Sequence, residues 1–92
     1  MKKAAKFIVK GTVQGVFFRQ FVKSHADNLG LFGYVRNLEN GDVEIVVEGS
    51  LEKIERFEKL IREGPKHAQI REVLREDRKW MNEFSDFRIL RF

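Results

Sequence analysis

One short stretch of the sequence places an arginine where a cation is electrostatically unfavourable. Residues 13–19 read VQGVFFR, and Arg19 falls in the first turn of a helix that the pattern predicts to begin near Phe17. Helix N-termini carry partial positive charge, so an arginine without a ligand opposes the helix dipole there by about 0.3–1 kcal/mol. The position becomes favourable if the site binds an anion, because a guanidinium fork and backbone N–H groups then converge on the same phosphate oxygens.

The glycine-containing turn before this helix supplies the other half of such a site. Successive backbone N–H groups in a turn can point into one concavity, and the first helical turn adds N–H groups that have no partner within the helix. Strand–turn–helix segments with one glycine are also common, and the P-loop pattern GxxxxGK[ST] is absent. The residues alone therefore leave Arg19 as either an anion ligand or a surface arginine, and Gln14 as either a turn residue or a further donor.

Asn37 is the second candidate for chemistry. It lies near the end of a predicted strand, just before a hairpin turn, where asparagines often stabilise the turn itself. Alternatively, the end of this strand lies near the start of the first helix, and the amide holds a water with one group and a phosphoryl oxygen with the other. The residues alone leave both interpretations open.

Hydrophobic periodicity predicts the elements that position these residues. Alternation and helical spacing give, in order, a strand over 6–13, a helix over 18–29 ended by Gly30, and strands over 32–38 and 43–48. Asn40-Gly41 between the last two strands predicts a hairpin, since both residues accept positive φ. A second helix follows Ser50, a good N-cap, and stops at Gly64-Pro65.

The last third of the chain is less regular. A strand from Ala68 to about Arg75 has its alternation broken by charge, which indicates a sheet edge. Residues 75–82 are expected to be irregular, and residues 84–92 end in a short aromatic strand. The order β-α-β-β-α-β predicts an α+β, ferredoxin-like sandwich. We expect an antiparallel sheet, two helices on one face and a short extra C-terminal strand, all in one domain over residues 1–92.

Composition narrows the functional classes. The net charge of +4, from 18 basic and 14 acidic residues, favours anionic partners without choosing among them. The sequence has no cysteine, which excludes disulfides, thiol nucleophiles and thiolate metal sites and suits a reducing compartment. The basic N-terminus lacks the apolar run of an export signal, and no segment has the roughly 20 apolar residues of a membrane span. We therefore expect a cytoplasmic protein.

Two segments of the sequence resemble the two signatures of the acylphosphatase family. The first is residues 11–19, GTVQGVFFR, and the second is residues 33–37, GYVRN, followed at the family's spacing by Gly41, Val43 and Gly49. Shorter similarities occur after the second helix and in the final strand, at Gly64-Pro65, Ala68 and Phe87-Arg88-Ile89. Tyr34 stands where many members have tryptophan, and Asn40-Gly41 where Asp-Gly is frequent. The resemblance covers the whole chain.

The resemblance implies a small enzyme that hydrolyses the carboxyl–phosphate bond of acyl phosphates without a metal or cofactor. The substrate is then a small acyl phosphate, inorganic phosphate is a product, and the protein is expected to be a monomer. By the family's pattern, Arg19 binds the phosphate together with the loop backbone, at Gln14, Gly15, Val16, Phe17 and Phe18. Asn37 positions the attacking water.

The competing interpretation is a non-catalytic ferredoxin-like module that binds phosphate or nucleic acid. RNA-binding sandwiches stack bases on aromatic residues of their central strands. The third predicted strand, residues 43–48, reads VEIVVE and offers acids and aliphatics instead. The sequence therefore favours the enzyme and makes nucleic acid an improbable partner.

Overall fold

The computed structural model describes residues 1–15 and 17–91. Five strands and two helices follow one another as β1 Lys2–Thr12, α1 Phe18–Leu29, β2 Phe32–Asn37, β3 Val43–Ser50, α2 Leu51–Glu63, β4 Gln69–Arg78 and β5 Phe87–Leu90. No helix in the described part of the chain has the length and apolarity needed to cross a membrane.

The strands form one sheet in the order β4-β1-β3-β2-β5. β3 pairs antiparallel with both β1 and β2, and β4 pairs antiparallel with β1. The predicted ferredoxin-like α+β sandwich is thereby confirmed. The extra C-terminal strand also forms, but β5 runs parallel to β2, so the five-stranded sheet is mixed rather than wholly antiparallel.

The hydrophobic core lies between the sheet and the two helices. Alternate residues of the two central strands, among them Phe7 on β1 and Ile45 on β3, are fully buried. They meet Val22 of α1 and Phe57 of α2 in one cluster, and the Phe7 and Phe57 rings pack with their centroids 6.0 Å apart. Burial on this scale is the main term that holds the sheet and the helices together.

Strands β1 and β4 extend well beyond the segments that their hydrophobic patterns predict, and β3 continues two residues further, to Ser50. β1 begins at Lys2, which pairs with Ser50 of β3, because backbone hydrogen bonding continues beyond the alternating apolar residues. β4 continues to Arg78, so the expectation of an irregular segment from residue 75 is wrong for its first part. The charge that obscured this strand is neutralised in the fold, since Arg75 pairs with Glu55 and Glu58 of α2.

The predicted β2–β3 hairpin is present, with a different turn from the one expected. The N–H of Gly41 donates to the carbonyl of Leu38 at 3.2 Å, and the N–H of Leu38 donates to the carbonyl of Asp42 at 2.8 Å. Of the pair Asn40-Gly41, only Gly41 has positive φ, at 96°. Asn40 instead accepts the Asp42 N–H through its side-chain oxygen at 3.0 Å, a local bond that fixes the turn.

The face of the sheet away from the helices carries two buried carboxylates on β3. Glu48 is 3% exposed and accepts N–H bonds from the segment between β4 and β5, at Met81, Glu83 and Phe84, with distances of 3.0–3.3 Å. Glu44 accepts the Arg36 Nε–H at 2.6 Å and the Tyr34 hydroxyl at 3.1 Å. Lys6 Nζ lies 3.4 Å from the same Glu44 carboxylate. We call this surface the ion-paired face.

The topology also decides where the sequence-predicted residues meet. β1 and β2 are both antiparallel to β3, so they run in the same direction and end at the same edge of the sheet. The helix α1 starts immediately after the loop that follows β1. The VQGVFFR segment and Asn37 are therefore brought together, although Arg19 and Asn37 are 18 positions apart in the sequence.

Candidate active site

A cleft of about 290 Å³ opens at the edge of the sheet where β1 and β2 end. The residues that line it come from the loop, the first turn of α1, the end of β2 and the last strand: Val13, Gly15, Phe17, Phe18, Arg19, Gln20, Asn37, Ile89 and Arg91. Arg19 and Asn37, the two predicted catalytic residues, thus share one cleft with three residues of the predicted phosphate loop.

The loop before α1 contains two residues with positive φ among its described positions. Gly15 has φ 76°, which glycine adopts at little cost. Phe17 is the N-cap of α1 and has φ 59° and ψ 24°, a left-handed conformation that costs a side-chain-bearing residue roughly 1–2 kcal/mol. Val16, a predicted loop ligand, lies outside the described residues.

The N-terminus of α1 lacks the features that usually neutralise a helix start. Phe17 makes no side-chain capping bond, and the first turn contains no acidic residue. The second helix differs on both counts, since Ser50 accepts the Lys53 N–H and Glu52 lies in its first turn. The dipole of α1 and its N–H groups therefore remain available to an anion from outside the chain.

Arg19 is held in the cleft by a carbonyl from the far end of the sequence. Its Nη1 donates to the backbone oxygen of Leu90, at the end of β5, at 3.1 Å. The side chain is half-buried, so the contact restricts where the guanidinium lies. A fork fixed in this way is preorganised for bidentate binding of phosphate oxygens.

Asn37 has an unusual environment for a turn residue. Its Oδ1 is buried and has no hydrogen-bond partner among the described residues. A buried amide oxygen without a partner costs about 1–3 kcal/mol, so it indicates a water or ligand at that position. The turn that follows β2 is fixed by other side chains, and the geometry thus favours the interpretation in which the Asn37 amide serves the cleft.

Gln14 takes up the turn-stabilising role instead. Its Nε2 donates to two carbonyls of the β2–β3 turn, Leu38 O at 3.0 Å and Asp42 O at 2.9 Å. The side chain therefore connects the phosphate loop to the hairpin and fixes the position of Asn37 relative to that loop. A role for the backbone N–H of Gln14 in binding phosphate stays a prediction.

Four lining residues were not among the predicted site residues: Val13, Gln20, Ile89 and Arg91. Val13 was assigned only to the end of the first strand. Gln20 follows Arg19 directly and carried no distinguishing pattern. Ile89 and Arg91 reach the cleft because β5 pairs in parallel with β2. The sequence of a four-residue strand does not show which strand it pairs with. Arg91 adds a second guanidinium to the cleft.

Comparison with known proteins assigns this geometry to a family. The family model described as acylphosphatase matches residues 5–89. The chain belongs to the acylphosphatase family. The predicted family is thereby confirmed.

Curated relatives and a solved structure agree with the family model. The acylphosphatase of Dehalococcoides mccartyi is 52% identical over 69 residues, which span 74% of this chain and 76% of the relative. The acylphosphatase of Vibrio cholerae is 44% identical over 89 residues, or 97% and 98% of the two chains. The structure of an acylphosphatase from Coxiella burnetii superimposes with a TM-score of 0.91 at 38% identity, covering 97% of this chain and 93% of that one.

Acylphosphatases are acid-anhydride hydrolases that cleave acyl phosphates into a carboxylate and inorganic phosphate. The enzyme class, the substrate class and the phosphate product expected from the sequence are therefore confirmed. The alternative of a nucleic-acid module finds no support in the central strand β3, whose sequence VEIVVEGS contains no aromatic side chain on which a base could stack.

The chemistry available in the acylphosphatase cleft is that of cations and neutral amides. Its described lining residues include two guanidinium groups and two side-chain amides, with no carboxylate, imidazole or thiol. No group of three or more acidic, histidine or cysteine side chains gathers anywhere in the described residues as metal ligands would. The arrangement can bind and polarise a phosphoryl group, and it can orient a water.

Proposed function

We propose that the cleft binds the phosphoryl group of a small acyl phosphate through Arg19 and the loop backbone, and that Asn37 positions the attacking water. The observation that carries this proposal is the buried Oδ1 of Asn37, which has no partner among the described residues and lies in the same cleft as Arg19. An acceptor that is buried and unpaired beside a cation is suited to a water that approaches a bound anion.

In this proposal, phosphate binding combines one charged side chain with backbone donors from the loop. The guanidinium of Arg19 supplies a charged fork, and the backbone N–H groups of residues 14–18 supply neutral donors at the positive end of α1. The bond from Arg19 to Leu90 O limits the freedom of the side chain before substrate arrives, which lowers the entropy lost on binding. The developing charge on the equatorial oxygens then meets donors already in place.

Hydrolysis needs one water and no enzyme base. Asn37 Oδ1 accepts a hydrogen bond from the water, and its amide N–H donates to a phosphoryl oxygen. The water oxygen forms a bond to phosphorus while the phosphorus–oxygen bond to the acyl group breaks, and the carboxylate leaves with the electron pair. The water's proton passes to a phosphoryl oxygen, so the products are a carboxylate and inorganic phosphate.

The leaving group explains why so few residues suffice. A carboxylate leaves readily without protonation, so no general acid is required. Phosphoryl transfer through a loose transition state depends on positioning and on charge stabilisation rather than on covalent catalysis. A cleft with arginines and amides matches those needs, and we therefore propose that catalysis requires neither a metal ion nor a cofactor.

We also propose that residues 1–92 form a single domain that acts as a monomer in the cytoplasm. One hydrophobic cluster joins both helices to the sheet, which supports a single domain. The absence of cysteine from the sequence suits a reducing compartment.

Hydrolysis of benzoyl phosphate, followed by ultraviolet absorbance in the presence of a chelator, tests the proposal. We expect turnover by the wild type and a loss of at least about 100-fold in Arg19→Ala. Arg88→Ala is the matched control, since Arg88 is an exposed arginine on β5 that pairs with Asp86 outside the cleft. Turnover that stops with the chelator, or that survives in Arg19→Ala, would contradict the proposed mechanism.

A further inference from the structure

Phe17 exposes an aromatic side chain at the cleft in a conformation that costs free energy. It is 83% exposed, and among the large hydrophobic residues described as exposed only Met1 exceeds it. Its φ of 59° lies in the left-handed region that bulky residues rarely occupy. Phe18, the next residue, is buried in the core. Of these two adjacent phenylalanines, one therefore packs inside the protein and the other faces solvent.

Helix capping offsets neither the exposure of the Phe17 ring nor the strain of its left-handed backbone. Serine, threonine, aspartate and asparagine are the residues that favour this position, because their side chains accept an N–H bond from the first turn. Phenylalanine has no acceptor, and no side-chain capping bond is made. An exposed aromatic residue on a strained backbone at a binding cleft indicates contact with a ligand rather than a role in the fold.

The chemistry of the substrate identifies which part of the ligand is involved. An acyl phosphate has a phosphoryl end and an acyl end, and the proposed donors at Arg19 and the loop backbone bind the phosphoryl end. The acyl end then extends from the cleft past the residues that line it. Phe17 is the exposed large apolar residue of the described lining, and the half-buried Ile89 of β5 also lines the cleft.

We propose that the Phe17 side chain contacts the acyl group and makes the enzyme prefer aromatic acyl phosphates to acetyl phosphate. This inference rests on the proposed function, since it assumes that the phosphoryl group binds at Arg19. A phenyl ring against a phenyl ring gains a stacking or edge contact that an acetyl methyl group cannot provide.

The ratio of kcat/KM for benzoyl phosphate to kcat/KM for acetyl phosphate tests the proposal. Both substrates present the same phosphoryl group, so a change in the loop that affects phosphate binding cancels in the ratio. We expect the ratio to fall by about 3-fold to 10-fold in Phe17→Ala, the range of one aromatic contact. Phe32→Ala is the control, because Phe32 is an exposed phenylalanine on β2 outside the cleft lining, and its ratio should equal that of the wild type.

Phe17→Gly separates the side chain from the backbone conformation. Glycine adopts φ near 60° without strain, so this variant keeps the left-handed loop while it removes the ring. The proposal requires the ratio to fall in both variants. A ratio that stays at the wild-type value in both, or that falls in only one of them, would overturn it. Failure of the wild type to hydrolyse either substrate would contradict the proposed function instead.

Discussion

The cleft and the ion-paired face treat buried polar groups in opposite ways. Asn37, at the end of β2, buries an amide oxygen that has no partner among the described residues. Glu48, on the neighbouring strand β3, buries a carboxylate that accepts three backbone N–H groups. The cleft has a buried acceptor without a described partner, which suits a water or a ligand, and the ion-paired face uses a buried carboxylate to hold a connecting segment in place.

The two helices also differ in backbone conformation and capping at their N-termini. The helix that starts at the cleft has a strained phenylalanine as its N-cap, whereas the second helix has a serine that makes its capping bond. Substitutions in the cleft should therefore reduce activity with little effect on stability, and substitutions on the ion-paired face should do the reverse.

Arg19→Lys should show the largest effect in the cleft. Lysine keeps the positive charge but lacks the planar fork, so we expect a loss of about 100-fold to 1,000-fold in kcat/KM, together with weaker inhibition by inorganic phosphate. The free energy of unfolding, measured by urea denaturation, should change by less than about 0.5 kcal/mol. Near-normal turnover would mean that the site needs charge alone and would remove the argument for a bidentate fork.

Asn37→Ala should lower kcat by about 100-fold while inorganic phosphate still binds, because the proposed mechanism needs the amide to orient the water, whereas the anion loses only one neutral hydrogen bond and keeps Arg19 and the loop backbone. The Asn37 Oδ1 has no hydrogen-bond partner among the described residues, so its removal breaks no described bond and the free energy of unfolding should not decrease. Steady-state kinetics with phosphate as inhibitor measures both quantities. If phosphate affinity falls as far as kcat, Asn37 is a phosphate ligand and the two roles assigned within the cleft are wrong.

Glu48→Ala should lower the free energy of unfolding by about 2–3 kcal/mol, because three N–H groups lose a charged acceptor. The kcat of the folded protein should stay at the wild-type value, since Glu48 is not among the residues that line the cleft. Urea denaturation and benzoyl phosphate hydrolysis check the two halves of this expectation. Glu76→Ala, which removes an exposed carboxylate on β4, serves as the control and should alter stability by less than about 0.5 kcal/mol. A large fall in kcat for Glu48→Ala would remove the contrast between the two regions.

Glu44 gives the ion-paired face a dependence on pH. Burial alone would raise the pKa of this carboxyl, but hydrogen bonds from Arg36 and Tyr34 outweigh it and lower the pKa below its ordinary value. The ionised form is thus favoured in the folded state, so Glu44 stabilises the protein above its unfolded pKa of about 4.3. That stabilisation is lost as the pH falls through the lower, folded pKa.

Glu44→Gln should therefore weaken the loss of stability between neutral and acid pH by about 1 kcal/mol or less. Urea denaturation of the wild type and the variant at pH 7 and pH 3 measures the difference. Part of the dependence should remain in the variant, because the pKa of Glu58 is also lowered, against the opposing effect of burial, by hydrogen bonds from Arg75 and Arg62. Identical pH profiles for the two proteins would show that Glu44 contributes nothing to the pH dependence of stability.

Local sequence patterns account for most of the fold and part of the site. The helix over residues 18–29 and the hairpin at Asn40-Gly41 are encoded by periodicity and turn chemistry that act within a few residues. The parallel pairing of β5 with β2 is not encoded locally, because the sequence of a four-residue strand does not identify its partner strand. The full length of β4 was obscured for a related reason, since the partners of Arg75 lie on α2.

The candidate site likewise combines a residue that local sequence identifies with residues that only distant contacts identify. Arg19 stands out in the sequence because its position conflicts with the helix dipole, a local effect. The roles of Gln14 and Asn37 were each ambiguous, since either side chain was suited to a turn or to the cleft. Contacts between segments distant in sequence distinguish the two side chains. Gln14 donates to the β2–β3 turn, so Asn37 is not needed to stabilise that turn and lines the cleft. Ile89 and Arg91 could not be foreseen without the position of β5.

The hydrogen bond between Arg19 and Leu90 joins residues that are 71 positions apart in the chain. Contacts between distant residues form late, because the entropy of closing a long loop must be lost before they contribute. The contact therefore exists only while the final strand is docked beside β2. Local unfolding of that four-residue strand would release the described contact that restrains Arg19, so the order of the proposed phosphate site depends on the stability of one end of the chain.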